Sequence, residues 1–443
     1  MVINNKRLAH IIRPSYSVQQ ISDIVSFLQE MGTLDFCPLP NGLFRAAALG
    51  SDKGYTGYSY IWVRDNIHIA HAHYAVGNIP VGQRTVRALM QYFIKHRKRF
   101  ADIITGRADP ANPMNRPHIR FDGGTLDEVN EKWAHAQNDA LGYFLWLFCK
   151  LVNEHKLIPS QDELDTLALF PRYFQAIRYW EDEDSGHWEE IRKVSASSIG
   201  VVIAGLEEFS KLLASPGEVF TGDADSDPRF VDTLIRTGRS ALTSILPFEC
   251  VQPDLAKQRL YDGALLFLIY PLRVVEGKIA DRILENTIAH LQGSFGIRRY
   301  LGDSYWAPDY KEKLEPTQRT VDFSDGLQSR NQLLPAIGQE AQWCIFDPII
   351  SCIYGTRFQE NDGEQALARQ VEYLNRSLGQ ITPEEDQQAP PLRCPELYYL
   401  EDDRYVPNDH VPLLWTQANL MLALKVVKES CSFAAAQCKT SLA

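Results

Sequence analysis

The stretch "AHAQNDALGYFLWLFCKLVNEHK", Ala134 to Lys156, decides the fold class. Leu141, Phe144, Leu145, Phe148, Leu151 and Val152 recur at helical spacing and form one apolar stripe. "SASSIGVVIAGLEEFSKLL" repeats the pattern with Ile199, Val202, Leu206, Phe209 and Leu213, and Ser195, Ser197 or Ser198 suits its cap. "VPLLWTQANLMLALKVVKE", starting at Val411, is a third case. Similar runs begin near Val18, Asp65, Gln83, Glu163, Phe230, Gly263, Ala280, Trp343 and Glu364, so the pattern predicts about twelve helices. Strand-like segments such as "GLFRAA" (from Gly42) and "GIRRYL" (from Gly296) are short and sparse. The expected class is all-α.

Four long connections interrupt the helices: Thr105–Gly124, Ser215–Pro228, Trp306–Gly338 and Ile381–Asp409. Loops of that length in a compact domain usually carry function. None has the composition of a Gly/Ser linker, so one domain over residues 1–443 with an elaborated face is expected.

Composition bounds the function. The chain is 45% hydrophobic and 23% charged, enough to bury a sizeable core, and its formal net charge is -11. The longest basic run is "KHRKR", Lys95 to Arg99, which argues against nucleic acid or an anionic membrane as main partner. "GALLFLIYPL" is too short to span a bilayer, and the N-terminal residues lack the apolar core of a signal peptide. The eight cysteines form no C-x-x-C pair and read as reduced thiols of a cytoplasmic protein.

Three clusters carry chemistry. "YIWVRDN" sets Tyr60 and Trp62 beside Arg64 and Asp65 at a helix start. "KWAHAQNDALG" offers Trp133, Gln137, Asn138 and Asp139, and "FGIRRYLGDSYW" offers Arg299, Asp303, Tyr305 and Trp306. Asp65 as a helix cap paired with Arg64 would explain the first. Equally, aromatic faces pack on the C–H side of pyranose rings, while planar cations and carboxylates grip hydroxyls in pairs. "HWEE", His187 to Glu190, adds two carboxylates behind Trp188, and Trp343 stands near a further helix start. His68 and His71 have metal-ligand spacing without an acid or thiol beside them. "DADSD", Asp223 to Asp227, lacks the glycine and closing glutamate of an EF-hand: Pro228 and Leu234 stand there. No metal or other cofactor is expected.

"YIWVRDN", "WAHAQNDALG", "WEE…SASSIG", "GIRRYLGDSYW" and "EAQWCIFDPII" resemble, in order and rough spacing, glycoside hydrolase family 15, which includes the glucoamylases. The resemblance runs from about Gly42 to Val427, and the "HWEE…ASSIGVVIAGLEE" stretch is also similar to phosphorylase kinase α and β subunits. It implies an (α/α)6 toroid and an inverting, exo-acting α-glucosidase working with one acid and one base. The general acid would be Glu189, with Trp188 excluding water beside it. Arg64, Asp65 and Arg299 would hold the terminal sugar, and Trp62, Trp133 and Trp188 would line the pocket. Tyr60, Gln137, Asn138, Glu190, Asp303 and Trp343 complete the expected substrate-binding set. The family spacing counted back from Trp415 falls on Val406, which is no base. Asp402 and Asp403 in "YLEDDRY" are therefore the expected general base, ahead of Glu401, Asp409 and Glu396. A lost base would leave a sugar-binding regulatory or scaffold protein. The oligomeric state is not legible.

Overall fold

The computed structural model describes residues 2–47, 57–214, 227–319, 321–322, 324, 332–360, 362–384 and 389–441. The acidic "DADSD" run falls outside them as far as Ser226, and Asp227 caps the next helix through Arg229 N–H.

Twelve of the helical elements among the described residues alternate between two layers; short helices such as Lys98–Ile104 and Gln161–Leu167 lie in the connections. The twelve begin with α1 (Val18–Glu30), α2 (Val63–Ala75), α3 (Ile79–Lys95), α4 (Asn138–Asn153), α5 (Leu169–Ala176) and α6 (Ala196–Leu213). The rest are α7 (Pro228–Ile245), α8 (Leu266–Ile269, entered by a 3-10 turn), α9 (Gly277–Asn286), α10 (Phe346–Gln359), α11 (Glu364–Gly379) and α12 (Leu414–Ser441). The even-numbered helices touch in sequence, α2 to α4 to α6 to α8 to α10 to α12, and α12 closes back on α2. Outside this ring, α1 packs on α12, α3 on α2, α7 on α6, α9 on α8 and α11 on α10. Helix α5 reaches α4 through Phe170 against Phe144, ring centroids 5.5 Å apart. The result is an (α/α)6 toroid.

Burial sorts the layers as the sequence patterns require. In α2 every residue from Val63 to His73 is buried, because an inner helix has neighbours on all sides. In α7 only Val231, Leu234, Gly238, Leu242 and Ile245 are buried, a single stripe. The inner ring is tight enough to require glycine. A Cβ on Gly142 of α4 would lie 2.8 Å from Val202 N of α6, and one on Gly205 would lie 2.7 Å from Gly142 O.

Short strands trim the face above the ring. β1 (Ile61–Trp62) pairs antiparallel with β2 (Arg120–Phe121). β3 (Gln342–Trp343), β4 (Leu397–Glu401) and β5 (Arg404–Pro407) form an antiparallel sheet in that order. "GLFRAA" and "GIRRYL" contribute only isolated bridges, such as Arg45 to Ile61 and Ile297 to Trp343. The connection Ile381–Asp409, expected as a loop, instead contains the β4–β5 hairpin. Asp402 and Asp403 are its turn, with φ of +47° and +57°. Two central residues with positive φ are what a tight hairpin needs, and Asp tolerates that backbone.

Candidate active site

The N-terminal ends of α2 and α12 and the approaches to α4, α6 and α10 meet at a pocket of roughly 880 Å³, part of it open to solvent. Trp62, Arg64 and Asp65 enter it from the start of α2, and Trp133 from the approach to α4. Trp188, Glu189 and Glu190 come from the approach to α6, Trp343 from the approach to α10, and Trp415 from the first turn of α12. Helix N-termini carry partial positive charge, and Asp65, Asp139 and Asp347 in the first turns of α2, α4 and α10 answer it. The ring beneath is filled, with His68 stacked on Trp415 at 4.5 Å and His71 against Trp146 at 5.0 Å. These histidines pack; among the described residues no cluster of His, Cys, Asp or Glu is placed to hold a metal ion.

Glu189 ends the 3-10 turn Gly186–Trp188 in left-handed backbone, φ +54°. For a residue with a Cβ that conformation costs about 1–3 kcal/mol and persists only where the surroundings over-determine it. Its side chain is 20% exposed and ion-pairs with Arg64 Nη2. Arg64 is fixed from behind, Nη1 donating to Asp139 at 2.7 Å and to Gln137 at 3.1 Å. Burial pushes the Glu189 carboxyl up and Arg64 pulls it back, leaving it at about 7. Burial likewise pushes Asp65 up to about 6, against the pull of Arg64.

Glu190 has the opposite surroundings. Its Oε1 accepts from Tyr300 Oη and from Arg299 Nη2 at 3.2 Å, and its Oε2 accepts from Arg259 Nη2 at 3.1 Å. Burial works against its charge, but Arg259, Arg299 and Lys193 outweigh burial and hold its carboxyl below the usual value. Arg299 is also clamped by Asp303 through two bonds of 2.7 Å and lies over the rings of Trp343 and Trp188.

Another wall of the pocket carries a further glutamate. Glu396 immediately precedes β4 and is 2% exposed. Its Oε1 accepts from Tyr58 Oη at 2.5 Å, and its Oε2 accepts from Asn408 Nδ2 and from His410 Nδ1 at 2.7 Å. The His410 ring stacks on Tyr58 at 3.6 Å, and Tyr58 Oη also meets Tyr305 Oη at 3.0 Å. Tyr58, Tyr305 and Glu396 all line the pocket.

Nine expected residues thus converge: Trp62, Arg64, Asp65, Trp133, Trp188, Glu189, Glu190, Arg299 and Trp343. Four others stand behind the wall. Gln137 and Asp303 hold the two arginines, Asn138 donates to Asp182 at 2.8 Å, and the Tyr60 ring lies under Arg120. Asp402 and Asp403 are exposed in the hairpin turn and do not line the pocket. The acidic residue on that segment that does is Glu396, ranked behind them on sequence. Asp65 is not a helix cap: Trp62 occupies the N-cap position, and Arg64 pairs with Asp139 and Glu189. Ser195 occupies the N-cap position of α6, with Ser197 and Ser198 inside the helix, but it makes no side-chain cap bond; Glu249 accepts from Ser197 N at 3.0 Å instead. Trp415, the anchor of the family spacing, lines the pocket as well, and so does Tyr58, which carries no motif that marks it as a site residue in the sequence.

The family model for glycosyl hydrolases family 15 matches residues 30–420. The chain belongs to that family. Solved glycosidase structures share its fold at low identity. A glutamate-to-alanine variant of a glycosidase in complex with glucose superposes with TM-score 0.60 at 14% identity, covering 96% of this chain and 99% of that one. A bacterial glucoamylase complexed with acarbose gives TM-score 0.56 at 13% identity, covering 88% of this chain and 53% of that one. Among curated proteins, a probable phosphorylase b kinase regulatory subunit alpha of Caenorhabditis elegans is 25% identical over 84% of this chain and 31% of the subunit. The rabbit (Oryctolagus cuniculus) skeletal muscle subunit alpha is 24% identical over 82% of this chain and 30% of the subunit. The chain therefore spans less than a third of the length of those relatives.

Proposed function

We propose that this chain is an inverting, exo-acting glucosidase that removes glucose from the non-reducing end of an α-glucoside or short α-glucan, with Glu189 as acid and Glu396 as base. One observation carries the reading: two glutamates with contrasting surroundings line a single pocket. Glu189 holds its proton near neutrality, as an acid must. Glu396 accepts three hydrogen bonds that fix both oxygens, as a carboxylate aimed at one water requires.

The chemistry follows from those positions. As the glycosidic C–O bond breaks, its electrons stay on the leaving oxygen, which takes the Glu189 proton. Water adds to the opposite face of the anomeric carbon and gives its proton to Glu396, so an α-linkage yields β-glucose. Arg64 and Asp65 grip the hydroxyls of the terminal ring, and Trp62, Trp133 and Trp415 supply apolar faces. A hydroxyl that takes over Arg64 also relieves its pull on Glu189 and strengthens the proton's hold there. A pocket floored by packed helices takes the end of a sugar chain rather than its middle, which makes the enzyme exo-acting. We place this enzyme in the cytoplasm, without metal or cofactor.

The name shared by the kinase relatives favours a second reading, a regulatory protein that binds sugar without cleaving it. Glucose release from maltose, isomaltose, trehalose and a maltooligosaccharide separates the two. Release from any substrate, lost in Glu189→Gln and Glu396→Gln, supports the enzyme. Binding of all four without release from any would overturn it.

A further inference from the structure

Glu189 sits between two residues that are both tied to Arg259. Trp188, before it, donates its indole N–H to Asp262 Oδ1 at 2.9 Å, and Asp262 Oδ2 accepts from Arg259 Nη1 at 3.4 Å. Glu190, after it, accepts from Arg259 Nη2 at 3.1 Å. One guanidinium thus reaches both flanks of the acid through two separate nitrogens.

Arg259 is itself fixed. Its backbone exchanges hydrogen bonds with Cys250, N to O at 3.0 Å and O to N at 2.9 Å. Its guanidinium lies 3.3 Å from the centroid of Tyr300, whose hydroxyl completes the cage around Glu190. The group is buried and does not line the pocket. Substrate therefore has no access to it, and with Glu190 engaged on both oxygens it acts on geometry rather than on sugar.

We propose that Arg259 is the positioning residue for the acid: it clamps Trp188, through Asp262, and Glu190, and so keeps the intervening Glu189 in its left-handed conformation aimed at the glycosidic oxygen. This rests on the hydrolytic reading above. The left-handed backbone of Glu189 persists only where its surroundings hold it, and both of its chain neighbours are held here. A lysine offers a single nitrogen where the guanidinium uses two, so it cannot hold both carboxylates at the spacing this fork sets.

The test compares substrates that need the acid with one that does not. Fluoride leaves without a proton, so α-glucosyl fluoride bypasses Glu189, whereas maltose depends on it. Arg259→Lys should lower kcat on maltose about 100-fold, the order expected of a displacement near 1 Å. KM should change less than about threefold, and kcat on α-glucosyl fluoride should stay near wild type. Active sites are counted by acarbose titration, so that a smaller folded fraction is not read as slower chemistry. Tyr300→Phe, which removes one hydroxyl from the same cage, should show the same selective loss more weakly. Equal loss on both substrates, or no loss on either, would overturn the positioning role. Wild-type protein that hydrolyses neither substrate would instead defeat the hydrolytic reading itself.

Discussion

The two glutamates of the pocket are held in opposite ways. Glu189 lies on an irregular approach to α6, in strained backbone, with Arg64 against its carboxyl. Glu396 lies at the mouth of a hairpin, more deeply buried, with Tyr58, Asn408 and His410 donating to it. An acid must first keep and then release a proton to a group that moves, so few partners and a raised pKa serve it. A base must hold one water in line, so a carboxylate fixed by three donors serves it. Neighbours in sequence can also differ in role, since Glu190 is locked among three cations and cannot exchange places with Glu189.

The largest effects should come from breaking either side. Glu189→Gln and Glu396→Gln should each lower kcat on maltose by about 10²–10⁴-fold, the usual worth of a positioned acid or base, while glucose binding by calorimetry changes little. The two should separate on α-glucosyl fluoride, which Glu189→Gln still hydrolyses and Glu396→Gln does not. Similar behaviour of the two variants would erase the distinction drawn between the walls.

The pH dependence sharpens the acid side. Activity needs protonated Glu189, so kcat/KM should fall as pH rises through about 7 in the free protein. The same shift is linked to stability. The folded pKa is raised above the ordinary glutamate value, so the associated stability is fully present below about 4.5 and lost as pH rises through about 7. Melting curves of wild type and Glu189→Gln should therefore diverge in favour of the variant between those limits. A parallel pair of curves would contradict the raised value.

Packing of the inner ring sets a middle-sized effect. Gly142→Ala places a methyl against the α6 backbone and should destabilise the protein by about 1–3 kcal/mol in denaturant titration. The smallest effect belongs to the turn. Asp402→Asn and Asp403→Asn should leave kcat and KM on maltose within about twofold of wild type, since both side chains are exposed and asparagine also accepts left-handed backbone. A large loss in either would return the base to the hairpin tip.

The same contrast explains what is legible in the sequence. The helical wall is readable because inner helices such as α4 and α6 carry long apolar runs at helical spacing, with the chemical motif at or just before the first turn. Arg64, Asp65, Trp188 and Glu189 can therefore be placed in the pocket from sequence. The hairpin wall cannot, because Glu396 stands alone in "CPELYYLEDDRYVP", and its meaning depends on Tyr58, more than three hundred residues away in sequence. A signal is present all the same. Alternating Tyr, Leu and Val around a central Asp-Asp pair is a hairpin pattern, and it assigns those aspartates to the turn. Reading the pair as catalytic takes local acidity for location.

The most direct test of the two-glutamate mechanism is proton NMR of the anomeric signals while the protein acts on maltose. Single displacement by water, with Glu189 protonating and Glu396 deprotonating, predicts that β-glucose appears first from the cleaved end and only later mutarotates to α. Early α-glucose from that end would contradict inversion by these two glutamates.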